Sequence, residues 1–401
     1  MPAGRNNSPE KKMKTDPDRN SIFGHGFADV IDRYDWKKTI RDVDSATDAD
    51  VKRVIAKARR NVKLTPEDLG ILISPAATAH LEEMAELSRK ITLERFGKTV
   101  SLYIPMYVSN ACTNKCVYCG FNHDNPLERV TLTEGELERE CEAIKELGPF
   151  ENILIVAGEY PTICGVDYIE KVIGICRPHF HNLTIEVQPM RAADYKRLAD
   201  KGLYGVICFQ ETYNREAYAR YHPRGMKSHF DWRLNGFDRM GEAGIHKIGL
   251  GALLGLEDWR GDVVMMARHL RYLQKNYWRS RYSVNFPRLC PSESGFQAVS
   301  SLTDRELVQL VIAFRLFDAD VDISISTREN SRLRDNLIPL GVTSMSAGSK
   351  TEPGGYACYP TALEQFETTD TRLPREVEKA IAEKGYQPVW KDWDAIMDTH
   401  R

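Results

Sequence analysis

The sequence predicts an α/β protein, a (β/α)8 barrel of the TIM type preceded by a helical extension and followed by a short C-terminal segment. Three observations carry that prediction. From Ser101 onward, eight strand-like segments alternate with helix-like ones. Polar residues recur on one face of several of those strands. Three cysteines crowd the stretch after the first strand, where barrel enzymes place their chemistry.

The chain's 401 residues suffice for one large barrel or two ordinary domains. Its 42% hydrophobic and 28% charged residues are usual for a soluble globular protein. A net charge of −2 leaves no electrostatic footprint for nucleic acid. No stretch approaches the ~18 consecutive apolar residues of a membrane span. The first twenty residues are polar and lack the apolar centre of a signal peptide, so the cytoplasm is the expected location.

In chain order, residues 1–20 read as a disordered tail and 21–100 as a helical extension. Thr65-Pro66-Glu67-Asp68 opens one of its helices: threonine caps, proline fits the first turn, and the two acids face the positive end of the dipole. The barrel is expected over 101–350. Its strands are Leu102–Ser109, Ile153–Ala157, Thr184–Gln188, Gly205–Gln210, His246–Leu253, Tyr282–Phe286, Val321–Thr327 and Val342–Ser346. The clearest helix lies between Thr133 and Gly148. Thr133 and Glu136 form a capping box, Leu137, Cys141, Ile144 and Leu147 share a face, and Gly148 stops it. Residues 351–401 form a segment packed on the barrel.

A plain barrel interior is filled with Val, Ile and Leu. Here Asp322, Ser324, Ser326 and Arg328 share one strand face, and Glu186 and Gln188 share another. Such faces predict a cavity for a polar ligand, unless they are strand ends wetted by solvent.

Nine cysteines without a signal peptide argue against a disulfide framework. Cys141, Cys164, Cys176, Cys208, Cys290 and Cys358 are scattered and read as small buried residues. The other three stand in Cys112-Thr113-Asn114-Lys115-Cys116-Val117-Tyr118-Cys119. A single zinc ion normally takes four ligands, and His123 is the only nearby candidate for a fourth. Three thiolates on a four-iron cluster leave one iron open for a ligand.

The Cys-x3-Cys-x2-Cys spacing, with an aromatic before the last cysteine, resembles the radical S-adenosylmethionine (SAM) superfamily. That resemblance implies a 4Fe-4S cluster on Cys112, Cys116 and Cys119. Its open iron is chelated by the methionine part of SAM, and one electron from the cluster breaks SAM into methionine and a 5′-deoxyadenosyl radical. It also implies cofactor contacts. Tyr118 and Phe121 flank the cluster motif. Gly158-Glu159 resembles the segment that holds the SAM amino group. Glu211 stands where relatives bind the ribose hydroxyls, and Arg233 matches the arginine that pairs with the SAM carboxylate. Leu253, in Gly251-Ala252-Leu253-Leu254-Gly255, belongs to a segment that resembles the one packing against adenine.

From about Thr65 to Trp393 the resemblance narrows to the 2-iminoacetate synthase family, the tyrosine lyases of thiamine biosynthesis. The segments that carry it include Tyr107-Val108-Ser109-Asn110, Glu186-Val187-Gln188-Pro189, Gln210-Glu211-Thr212-Tyr213, Phe286-Pro287-Arg288-Leu289, Ser326-Thr327-Arg328-Glu329, Pro353-Gly354-Gly355-Tyr356 and Val389-Trp390-Lys391-Asp392-Trp393-Asp394. The family cleaves the Cα–Cβ bond of L-tyrosine to 2-iminoacetate (dehydroglycine) and 4-methylphenol (p-cresol). The resemblance implies thiazole synthase as the acceptor of the imine and a flavodoxin- or ferredoxin-type electron donor. The alternative is a hydrogenase-maturase-like or other aromatic amino-acid lyase. The related maturase uses extra C-terminal cysteines for a second cluster, whereas the last cysteine here is Cys358. Relatives usually carry arginine where this chain has Cys290.

Chemistry then nominates the groups that would hold tyrosine. A carboxylate favours a two-pronged cation, so Arg328 is the first candidate and Arg288 the alternative. The amine favours oxygen acceptors, and Ser326, Ser344 and Ser346 are candidates, unless their hydroxyls are taken up by backbone.

Overall fold

The computed structural model describes residues 26–290, 295–359 and 364–391. The expected tail over 1–20 and the segment beyond Lys391 lie outside the described residues.

Eight parallel strands close into a barrel: β1 (Thr99–Ser109), β2 (Asn152–Ala157), β3 (Asn182–Glu186), β4 (Leu203–Glu211), β5 (Lys247–Ala252), β6 (Arg281–Asn285), β7 (Asp322–Ile325) and β8 (Ser344–Ser346). Each pairs with the next, and β1 pairs with both β2 and β8, which seals the ring. The outer faces of the strands are apolar because helices cover them. In β2, for example, every residue from Ile153 to Ala157 is buried. The eight predicted strands are all present.

Two of them end two residues earlier than the sequence suggests. β7 stops at Ile325 and β3 at Glu186. The next residues leave the ladder to build the mouth of the barrel: Thr327 N–H donates to Ser346 Oγ at 3.1 Å, and Glu329 N–H to the Ser326 carbonyl at 3.3 Å.

The crossover helices follow from capping and periodicity. Glu134–Leu147 opens on the Thr133/Glu136 capping box, and Asp304–Phe317 on a Thr303/Glu306 box. Their apolar stripes pack on the strands. The helical extension lies on the outside. Its Pro66–Leu72 helix opens on a Thr65/Asp68 capping box and packs on the Trp259–Asn276 and Asp304–Phe317 helices. The buried Gln309 amide fastens it there, donating to the Leu72 and Ser74 carbonyls at 3.0 and 2.9 Å.

A ninth strand, β9 (Gln387–Val389), pairs with β1 over Thr99–Ser101, below the stretch that β2 occupies. Three residues with a central proline carry no strand signal of their own. The neighbouring Trp390 anchors them, stacking edge-on against Phe150 at 4.8 Å while its carbonyl accepts from Glu151 N–H at 3.1 Å.

Candidate active site at the C-terminal mouth of the barrel

A cavity of about 1390 Å³, its open mouth included, fills the C-terminal end of the barrel. Its lining includes Cys112, Cys116, Cys119, Tyr118, Phe121, Gly158, Glu159, Glu211, Arg233 and Leu253, and from the ends of β7 and β8 Ser326, Arg328 and Ser346.

The three cysteines stand on the loop that follows β1. Such a loop cannot satisfy its own backbone, so other side chains do it. The Arg129 guanidinium donates to the carbonyls of Asn110, Phe121 and Asn122 at 2.8, 2.9 and 2.6 Å. The end of β2 presses against the same loop. A β-carbon on Gly158 would stand 2.3 Å from the Ala111 carbonyl oxygen, so only glycine permits this approach. Thr113 N–H donates to the Glu159 carbonyl at 3.0 Å. Burial pushes all three thiols up, Cys112 to about 11. A positively charged partner is therefore needed to hold them as thiolates near neutral pH.

Beside the thiols lies a buried charge cluster. Arg233 Nη1 is 2.7 Å from Glu159 Oε1, Lys227 Nζ is 2.5 Å from Glu211 Oε1, and Asn114 Nδ2 donates to Glu159 Oε2 at 2.8 Å. Burial alone would raise the Glu159 carboxyl, but Arg233 and Lys227 outweigh it and hold it below its ordinary value. Arg233 Nε also donates to the Phe209 carbonyl at 2.6 Å, and Nη2 faces Glu211 at 3.8 Å, leaving it the donor without a close partner. Glu211 itself sits at φ 71°, beside a break in the β4–β5 register. A left-handed glutamate costs of order 1–3 kcal/mol and persists only where the surroundings impose it. Here it turns the carboxylate toward Lys227 and the cavity.

Tyr118 is held from behind. His222 Nδ1 lies 2.8 Å from the Tyr218 carbonyl and donates to it, so Nε2 accepts from the Tyr118 hydroxyl, also at 2.8 Å. Burial keeps this imidazole neutral by driving its pKa well below the usual value.

Just beyond β7, the Arg328 guanidinium lies 3.3 Å from the centroid of Phe366 and has no ion pair among the described residues. Ser326 Oγ accepts from Arg328 N–H at 3.4 Å, and Ser346 Oγ accepts from Thr327 N–H at 3.1 Å. Both serines thus shape the turn that presents Arg328. Cys290, also on the lining, brings no charge to it.

Two nominated residues lie elsewhere. Arg288 turns out of the cavity: its Nε is 2.9 Å from Glu329 Oε1 and its Nη1 is 2.8 Å from Asp304. Glu329 is buried, and the half-buried Arg288 guanidinium supplies the cation that its carboxylate requires. Ser344 starts β8 and so stands about two strand rises, ~6.6 Å, below Ser346. It lines a separate lower chamber with Asn152, Lys247 and Asp322.

Several cavity residues went unnoticed in the sequence. Lys227 and Asn114 look like ordinary loop residues. Gln365 and Phe366 come from the C-terminal segment, where no motif marks them. Gln365 Nε2 lies 3.7 Å from Cys119 Sγ, and its Oε1 accepts from the Tyr107 hydroxyl at 2.8 Å. Glu186 lies on an inward polar strand face, and no motif marks it.

The residues fit a cubane cluster with SAM. The three thiols share the lining of one cavity, which suits a cluster whose irons occupy separate corners. Gly158 and Glu159 belong to the same lining, and Arg233 and Glu211 offer a cation and a diol acceptor within that cavity.

Comparison with known proteins agrees. Residues 106–269 match the radical SAM superfamily, and 283–387 match the biotin and thiamin synthesis associated domain. The 2-iminoacetate synthase of Escherichia coli (strain K12) is 46% identical over 372 residues, covering 92% of this chain and 97% of that protein. The 2-iminoacetate synthase of Salmonella typhimurium matches to the same extent. Among solved structures, the [FeFe]-hydrogenase maturase HydG from Carboxydothermus hydrogenoformans superposes with a TM-score of 0.85 at 31% identity, covering 93% of this chain and 86% of that one. No described helix is long and apolar enough to cross a membrane. An identity of 46% sustained over 97% of a relative's length places this chain in the 2-iminoacetate synthase family of radical SAM enzymes.

Proposed function

We infer that this chain is a carbon–carbon lyase that cleaves the Cα–Cβ bond of L-tyrosine to 2-iminoacetate and p-cresol, consuming SAM. One observation carries the reading: three thiols and a guanidinium without an ion pair among the described residues line the same cavity. When bound, the cluster and SAM supply a 5′-deoxyadenosyl radical that takes a hydrogen atom from the substrate.

The chain's own residues bind and orient. Cys112, Cys116 and Cys119 hold the cluster. Arg233 offers Nη2 to the SAM carboxylate while Glu159 keeps its Nη1 in place. Glu211, steadied by Lys227, accepts from the ribose diol through both carboxylate oxygens. The backbone at Gly158 and Glu159 lies beside the SAM amino group. Tyr118, Phe121 and Leu253 pack around the cofactor. Arg328 takes the tyrosine carboxylate in a two-pronged contact, with Phe366 closing over the guanidinium. Val156 and Ile207 line the apolar part of the chamber that receives the ring. A closed chamber matters because a primary carbon radical attacks almost any C–H it meets.

The match to the biotin and thiamin synthesis associated domain supports a place in thiamine biosynthesis. On this reading thiazole synthase receives the imine, a flavodoxin- or ferredoxin-type protein supplies the electron, and the enzyme works in the cytoplasm. The test is 5′-deoxyadenosine formation by reconstituted protein given tyrosine or tyramine, which lacks the carboxylate. Wild type should respond to tyrosine alone, and Arg328→Lys should lose that preference. An Arg328→Lys variant that discriminates as well as wild type removes Arg328 from the substrate site.

A further inference from the structure

Three carboxylates and three cations line the cavity: Glu159, Glu186 and Glu211 against Lys227, Arg233 and Arg328. Four of the six are paired, Glu159 with Arg233 and Glu211 with Lys227. Glu186 and Arg328 remain. Neither side chain has an ion pair or a side-chain hydrogen bond among the described residues; the contact of the Arg328 guanidinium is with the Phe366 ring. Glu186 ends β3 and Arg328 follows β7. These strands are four steps apart in a closed ring of eight, so the two charges face each other across the barrel.

Burying a charge is costly unless something pairs with it. Two opposite charges on facing walls, each without a protein partner, match a ligand that carries both signs close together. A zwitterionic α-amino acid is such a ligand. Resting on the lyase reading, we propose that Glu186 receives the substrate's ammonium group while Arg328 holds its carboxylate. This replaces the serines as the principal amine partners. The Ser326 and Ser346 hydroxyls already accept backbone N–H groups, and Ser344 lies in the lower chamber. A carboxylate also outbids a hydroxyl for a cation, since charge-assisted hydrogen bonds are roughly twice as strong as neutral ones.

The same residue solves a proton problem. The imine product carries one hydrogen on nitrogen where the tyrosine ammonium carries three, so the nitrogen must give up a proton as well as a hydrogen atom. Proton transfer to Glu186 breaks one N–H bond, leaves its electron pair on nitrogen and forms one O–H bond on the carboxylate. The surroundings suit that exchange. Burial, then the Glu211 charge, push the Glu186 carboxyl up to about 7, against the pull of Arg328, Lys227 and Arg233. Tyr103 and Tyr107 also face it from β1, with their own hydroxyls driven upward by burial and kept neutral.

The test measures equilibrium binding of L-tyrosine and of 3-(4-hydroxyphenyl)propionate, the same skeleton without the amine. Cluster-loaded protein is used with SAM present and no reductant. Wild type should bind tyrosine at least tenfold more tightly than the amine-free acid. Glu186→Gln should bring that ratio close to one, and Glu186→Asp, which keeps the charge, should retain part of it. Iron content and SAM affinity unchanged in both variants establish that they are folded. A Glu186→Gln ratio equal to wild type overturns the proposal, as it would if Glu186 instead faced the phenol and weakened both ligands alike. Wild type binding the two acids equally also overturns it, while p-cresol production would leave the lyase reading standing. Wild type binding neither acid removes the lyase reading and the inference together.

Discussion

The lower end of the barrel interior and its upper end are both polar, and they differ in how their polar groups are used. The lower chamber, about 620 Å³, holds Lys247 2.7 Å from Asp322, Asn182 Nδ2 2.8 Å from Asn152 Oδ1, and Ser324 3.2 Å from Tyr103. Its groups largely satisfy one another, with the Asn182 amide oxygen left over. The upper cavity leaves the Glu186 and Arg328 side chains without such partners among the described residues and keeps Glu211 at a positive φ. Polar groups that complete one another specify the fold, whereas groups held in readiness at a cost in stability specify a ligand. The comparison separates two inward serines on one strand, Ser344 and Ser346, into different roles.

The difference can be broken most sharply at the thiols. Replacing Cys112, Cys116 and Cys119 together by alanine should abolish iron binding, from about four irons per chain to none, and with it all SAM cleavage. Iron and sulfide analysis of anaerobically purified protein reads this directly. A triple variant that keeps its iron would place the cluster elsewhere.

Next comes Arg233→Ala. It removes one partner of a buried pair, which leaves Glu159 uncompensated and should cost about 3–5 kcal/mol of stability. SAM affinity should fall by a further ~1.5–3 kcal/mol, the scale of a charge-assisted hydrogen bond. Urea unfolding and equilibrium dialysis separate the two effects. Destabilisation without weaker SAM binding would make Arg233 a purely structural residue.

At the lower end the expectation reverses. Lys247→Ala should destabilise the fold, by about 2–3 kcal/mol because the pair is partly solvated, and leave SAM and tyrosine affinities unchanged. Burial would raise the Asp322 carboxyl, but Lys247 outweighs it and holds it below its ordinary value. The pair therefore stabilises above the unfolded carboxylate value, about 3.9, and loses that contribution as pH falls through the lower folded value. Unfolding followed against pH, in wild type and Asp322→Asn, should differ above that range and converge below it. A drop in tyrosine affinity in Lys247→Ala would mean that the lower chamber takes part in binding.

The smallest effect is expected for Ser344→Ala, which should change tyrosine affinity by less than about 0.5 kcal/mol. Calorimetric titration against wild type checks it. A loss like that of Glu186→Gln would join the two chambers into one site.

The barrel and the cluster loop were legible because their signals are local. Strand and helix periodicity, the Thr133/Glu136 capping box and three cysteines in eight residues are each visible in a short window. Glu211, Arg233 and Gly158 were reachable through resemblance. What stayed hidden depends on long-range approach. Lys227 becomes a cavity residue only because its loop folds back on the cluster loop, where its backbone N–H donates to Asn114 Oδ1 at 3.0 Å. Gln365 and Phe366 arrive from a segment about 250 residues beyond the cysteines. β9 forms only because Trp390 and Phe150 hold it against β1. Arg288 was misplaced because its strand-end position looked like that of Arg328. Its buried partner Glu329, which draws it out of the cavity, cannot be read from spacing.

The central claim is that the upper cavity converts tyrosine, and the most direct test is anaerobic turnover. Cluster-loaded enzyme is incubated with SAM, a strong reductant and L-tyrosine, and p-cresol and 5′-deoxyadenosine are quantified over time. The two should accumulate together, with p-cresol absent when tyrosine is withheld. No p-cresol, and 5′-deoxyadenosine at the same rate with and without tyrosine, would contradict the tyrosine assignment and leave only a radical SAM enzyme acting on another substrate.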